Sequence, residues 1–196
     1  MSDHQVVAAF YDEPPEWIED LPHIIYHKGI VQPNPKLNIV RISENHPSRE
    51  SHTYLYHIIN KWDELAEWTA FIQGYPFDHC NHSNFNWLAE PELGFCYLAN
   101  KILQDDRFGQ PHHITKIPLG EFYEALFKSP APRLFTFGAG CQFVAHRDII
   151  KSRPIEFYKR VLELNYRDPP ESIIGVMERM WIYILGIDPT KIPLTR

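Results

Sequence analysis

The apolar positions pass from short continuous runs in the first half of the chain to helical spacing in the second. Residues 6–10 (V-V-A-A-F) form an unbroken apolar run, the mark of a strand buried on both faces of a sheet. Tyr11-Asp12-Glu13-Pro14-Pro15 ends it, because proline cannot donate to a ladder. Residues 17–20 predict one helical turn, residues 23–27 (H-I-I-Y-H) a second strand, and the alternating residues 37–42 a third. Ser48 then opens a helix as its expected N-cap, with Tyr54, Leu55, Ile58, Ile59 and Trp62 on its core face and His52 and Tyr56 flanking that face. Residues 68–72 (W-T-A-F-I) predict the next buried strand, running directly into the polar and aromatic segment Gln73–His79.

Residues 80–133 carry a weaker pattern. Residues 84–92 and 121–127 predict short helices, while Asp105-Asp106-Arg107 and His112-His113 fall in segments punctuated by proline and glycine and predict loops. Residues 134–137 and 142–145 are short apolar pieces around Gly138-Ala139-Gly140, and residues 148–151 begin a helical turn. Residues 155–164 and 172–185 predict two clear helices, the second with Ile173, Val176, Met177, Met180, Ile184 and Leu185 on one face. Strands that alternate with helices early, before helices dominate, predict a single α/β domain with a mainly parallel, twisted sheet flanked by helices.

Composition narrows the function classes. The chain has 196 residues, with 19 Lys+Arg against 25 Asp+Glu, a formal net charge of −6. It lacks the basic stripe that displaces counterions, so no nucleic-acid partner is expected. No apolar stretch is long enough to span a bilayer. The three cysteines, Cys80, Cys96 and Cys141, are scattered and form no CxxC, which predicts reduced thiols and a cytoplasmic protein. Eleven histidines form no HxH and no HExxH, so a structural zinc site is disfavoured. There is no GxSxG nucleophile elbow, no GxGxxG and no Walker lysine.

Three constellations remain. Asp12-Glu13 lies past the first strand, where it could meet a ribose hydroxyl, a base edge or a metal, or could simply be a solvated turn. Gln73, Asp78 and His79 follow a buried strand through Gly74 and Pro76, and should converge on the same sheet edge as a metal-ligand or proton-carrying group. Glu178-Arg179, an acid and a base set among Met177, Met180 and Trp181, is the sharpest anomaly. A partly buried glutamate has a raised pKa unless it is paired, which suits a general base, whereas a plain surface pair would leave one of the two solvated. Gly138-Ala139-Gly140 would let backbone N–H groups approach a phosphate or sugar, or would serve only as a turn.

The ordered motifs Arg49–Ile59 (R-E-S-H-T-Y-L-Y-H-I-I), Phe71–His79 (F-I-Q-G-Y-P-F-D-H) and Phe137–Phe143 (F-G-A-G-C-Q-F), followed by Arg147, Ser152-Arg153-Pro154, Phe157-Tyr158 and Glu178–Trp181, resemble a family catalogued as domain of unknown function 3431. That family is similar in outline to glycosyltransferases of the GT-A fold. The resemblance implies transfer of a sugar from a nucleotide-sugar donor to a glycan or other hydroxyl acceptor. It places Tyr11, Asp12, Glu13, Arg49, Glu50, His52, Gln73 and Gly74 on the donor, and Gly138, Ala139, Gly140, Gln142, Arg147 and Arg179 on the acceptor. Glu178 or Asp78 would be the base, with inversion the expected outcome because nothing marks a nucleophile. Such enzymes hold a divalent metal (Mn or Mg) through an Asp-x-Asp, and none occurs here. Asp78 and His79, or Asp105-Asp106, would have to replace it, or else Arg49, Arg147 and Arg179 would neutralise the diphosphate. The alternative is a non-catalytic nucleotide- or carbohydrate-binding protein on the same fold.

Overall fold

The computed structural model describes residues 3–13, 16–30, 36–42, 48–80, 86–166 and 170–195. Pro14 and Pro15, and the first two residues of the expected 84–92 helix, lie outside this set. Residues 86–92 form turns rather than a helix, with i→i−3 bonds from Ala89 N–H to the Asn86 carbonyl and from Gly94 N–H to the Pro91 carbonyl. With Pro91 in the segment, no i→i−4 ladder can propagate.

A mixed six-stranded sheet has the order β3-β2-β1-β4-β8-β5. Its strands are β1 (His4–Phe10), β2 (His23–His27), β3 (Ile39–Arg41), β4 (Trp68–Gln73), β8 (Phe143–His146) and β5 (Phe95–Tyr97). The β1–β2, β2–β3 and β1–β4 pairs are parallel, whereas β4–β8 and β8–β5 are antiparallel. β6 (Ile102–Asp106) and β7 (Leu134–Gly138) form a second, antiparallel two-stranded sheet. The Asp105-Asp106 segment expected as a loop is therefore strand. Its polarity is accounted for below by a partner 74 residues away.

The helices are α1 (Arg49–Asn60), α2 (Leu119–Phe127), α3 (Arg147–Lys151), α4 (Ile155–Asn165) and α5 (Pro170–Ile184). Ser48 takes the N-cap position of α1, but its side chain makes no capping bond. The uninterrupted apolar run of β1 feeds two cores. Val7 joins Phe71, Phe143, Tyr54, Trp181 and the apolar faces of α1, α4 and α5, while Val6, Ala8 and Phe10 join Ile18, Ile25, Ile72 and Val144 on the other face. That second face is covered by Trp17, Leu21, Trp87 and Leu98, from turns and loops. Among the described residues no helix is long and apolar enough to cross a membrane.

The topology positions the site. The chain steps outward from β1 to β2 and β3, then returns through α1 to β4 on the opposite side of β1. Neighbouring connections diverge at the carboxyl ends of β1 and β4, which opens the crevice where open α/β sheets hold ligands.

Candidate functional site

A cleft of about 710 Å³ occupies that switch point, lined by six parts of the fold. Phe10, Tyr11 and Glu13 come from the end of β1, Gln73, Gly74, Tyr75, Asp78 and His79 from the end of β4, Arg49 and Glu50 from the first turn of α1, and Ile174 and Glu178 from α5. Lys28 enters from the end of β2 and Gly140 from the turn before β8. Tyr11 and Tyr75 keep 48% and 44% of their surface exposed and offer ring faces to a ligand.

Each wall is held by local chemistry. The Trp17 indole N–H donates to the Gly74 carbonyl (3.2 Å), and Trp17 itself packs on Phe10, Phe77 and Trp87. Glu13 Oε2 accepts from the Tyr11 backbone N–H at 2.6 Å, and a Cβ at residue 74 would come within 2.5 Å of that oxygen, so Gly74 admits the carboxylate. Gln142, fully buried, works from beneath. Its Oε1 accepts from the Gln73 N–H and its Nε2 donates to the Pro76 carbonyl. It fixes the cleft wall rather than reaching an acceptor.

Glu178 is the best-anchored acid. Its Oε1 accepts from the Gly140 N–H (2.8 Å) and its Oε2 from Arg179 Nη1 (2.9 Å). The expected divergence of neighbouring helical side chains is realised: Glu178 reaches the cleft, and Arg179 is buried. Arg179 gives Nε–H to Asp105 Oδ2 (2.7 Å) and Nη1–H to the Gly175 carbonyl, and lies over the Phe137 ring at 4.2 Å. Glu50 differs. Burial, and then the charge of Glu178, push its carboxyl above the usual carboxylate range, against the opposing pull of Arg49 and Gln73. The raised acid of the cleft is thus Glu50, while Glu178 is paired. Burial, and then the charge of Glu50, also drive the adjacent Cys141 thiol well up, which disqualifies it as a thiolate nucleophile.

Of the residues expected at the site, Tyr11, Glu13, Arg49, Glu50, Gln73, Gly74, Asp78, His79, Gly140 and Glu178 line one cleft. The others lie elsewhere. Asp12 turns toward His27, its Oδ1 4.0 Å from the imidazole Nε2. His52 is buried on α1 beside Tyr56. Gly138 lies against the Tyr97 ring, and the Ala139 N–H is spent on the Lys101 carbonyl. With the Gly140 N–H given to Glu178, the 138–140 turn offers no row of donors to a phosphate. Arg147 sits at the far end of the sheet, bonded through its backbone to Glu67 and through Nη1 to the Leu65 carbonyl. The reason is that β8 runs antiparallel to β4, so His146 pairs with Trp68 at the amino end.

Asp78 and His79 are exposed neighbours in one turn, and among the described residues no three His, Cys, Asp or Glu side chains gather to hold a metal. Asp105 is committed to Arg179 and His112 instead. Sequence reasoning missed Lys28 and Ile174. The signal for Lys28 was available, since a parallel neighbour of β1 delivers its own carboxyl end to the same edge. No protein-family model, curated protein or solved structure matches this chain.

Proposed function

We propose that the cleft transfers a sugar from a nucleotide-sugar donor to a hydroxyl acceptor, with Glu178 as the base. The observation that carries this reading is the placement of an anchored carboxylate, Glu178, across a switch-point cleft from a second acid, Glu50, held in a different electrostatic state. A carboxyl raised by its surroundings beside a second, anchored carboxylate is a recurrent basis of acid–base division in a site. The acceptor oxygen would attack the anomeric carbon as the bond to the diphosphate breaks, and the acceptor proton would pass to Glu178. Lys28 and Arg49 are the cleft cations available to the leaving diphosphate, and Tyr11 and Tyr75 provide stacking faces for a base or sugar ring. The motifs quoted for the resemblance supply Arg49, Glu50, Gln73, Asp78, Gly140 and Glu178 to this one cleft.

A second reading, a non-catalytic nucleotide- or carbohydrate-binding protein, is favoured by one observation. Both oxygens of Glu178 already have partners within the protein, so its first role could be structural. A thermal-shift series with UDP, GDP, CDP and dTDP, with and without manganese, tests both. Transfer predicts a raised melting point with at least one nucleotide, and turnover of the matching sugar that Glu178→Gln abolishes while binding persists. Binding without turnover supports the second reading, and no shift with any of the four overturns the first.

A further inference from the structure

The ion pair behind the cleft is costly where it stands. Asp105 is completely buried and Arg179 is 1% exposed, in a helix otherwise packed with apolar side chains. A buried pair of this kind is weak evidence for stability, because apolar residues of similar volume would avoid the desolvation. What such residues could not do is present an N–H to Glu178. Three of the Arg179 N–H groups are placed: Nε to Asp105 Oδ2 at 2.7 Å, and Nη1 to the Gly175 carbonyl and to Glu178 Oε2, both at 2.9 Å. Asp105 is fixed in turn through Oδ1, which accepts from the His112 backbone N–H (3.0 Å) and from His112 Nδ1 (2.7 Å). His112 is partly exposed and Glu178 opens on the cleft, so the hydrogen-bond chain links an accessible imidazole to the cleft carboxylate through two buried charges.

We infer that Asp105 is a positioning residue for the cleft carboxylate: acting through Arg179, with His112 behind it, it sets the orientation of Glu178. The inference rests on the reading of Glu178 as the base. Its electrostatic consequence has a definite sign. Asp105 partly neutralises Arg179, so losing its charge leaves the guanidinium free to stabilise ionised Glu178 and lowers the pH at which Glu178 titrates. Losing the His112 donor concentrates the Asp105 charge on Arg179 and moves that titration upward.

The Gly140 amide proton, bonded to Glu178 Oε1, is a reporter that needs no substrate. Its NMR shift is followed against pH in the wild type, Asp105→Asn and His112→Gln, with Glu178→Gln as the control that abolishes the transition. Glu50, Arg49, Asp78, His79 and Glu13 face the same cleft and are unchanged in the two test variants. Asp105→Asn is expected to lower the midpoint, changing the ionisation constant by about threefold to tenfold, and His112→Gln is expected to raise it. A lost fold would change every amide, whereas a positioning role moves the Gly140 midpoint in a dispersed spectrum. Should Asp105→Asn not fold, the partly exposed His112→Gln decides alone. Midpoints coincident with the wild type overturn the inference. Unshifted melting points with all four nucleotides would overturn the transferase reading instead, and the amide titration would still stand.

Discussion

The Gly140 N–H donates to Glu178 Oε1 at 2.8 Å, joining the turn before β8 to the middle of α5 across 38 residues. Gly140 adopts φ +88°, in the left-handed region that side chains disfavour, and a Cβ there would approach His79 Cβ to 2.6 Å. Geometry and sequence agree: only glycine both reaches this conformation and leaves room for the β4 edge.

Gly140→Ala should therefore act twice. Backbone strain and the collision with His79 should cost about 1–3 kcal/mol of stability, read from urea unfolding. Displacement of the N–H should also reduce turnover well beyond any loss of nucleotide affinity. A variant with wild-type stability and turnover would show that the turn relaxes without moving Glu178.

Glu50 should carry a stability cost. Its carboxyl is raised in the fold, so its contribution is fully present below its ordinary value of 4.5 and is lost as pH rises through the higher folded value. At neutral pH, well above that ordinary value, Glu50 therefore opposes folding. Glu50→Gln should raise the melting temperature by a few degrees at pH 7, with the gain shrinking below about pH 4, and should impair activity. Thermal unfolding across pH checks it, and an equal shift at all pH values would contradict the electrostatic account.

Much of this site was legible, and the illegible parts share a cause. The continuous run of β1, the apolar run of β4 and the helical spacing of α1, α4 and α5 each express burial against the nearest neighbours in the fold, so local pattern sufficed. Parallel pairing then brought Tyr11, Glu13, Gln73 and Asp78 to one edge. Strand direction was not legible. The antiparallel entry of β8 carries Gly140 to the cleft and Arg147 away from it, and nothing local to residues 138–147 encodes that reversal. Asp105-Asp106 read as loop because proline and glycine punctuate the segment that follows, yet Asp105 is buried in β6, which Arg179 on a distant helix makes possible.

His57 gives the protein a defined acid limit. It is buried, and desolvation, followed by the charge of Lys61, lowers its pKa to about 3, while its Nδ1 is bonded to the Tyr26 hydroxyl (2.9 Å). The unfolded chain binds a proton near pH 6.5 that the fold refuses, so stability is present above pH 6.5 and is lost as pH falls toward 3. His27, lowered first by burial and then by Arg41, adds in the same direction. His57→Leu should flatten the stability profile between those limits, as seen by denaturant unfolding at several pH values. An unchanged slope would assign the acid sensitivity to other groups.

The buried pair offers the sharpest separation of stability from function. Arg179→Met leaves the fully buried Asp105 carboxylate without its charge partner, held by His112 alone, and should cost about 3–5 kcal/mol. Asp105→Leu in the same chain removes the stranded charge and should return most of that loss, because an apolar pair avoids the desolvation that the ion pair suffers. Packing alone would then be restored, without the N–H that Arg179 gives to Glu178 Oε2. Urea unfolding of the single and double variants should show the recovery, while nucleotide-sugar turnover stays low in both. If turnover recovered together with stability, Arg179 would be a core residue only, and Glu178 would hold its place through Gly140 alone.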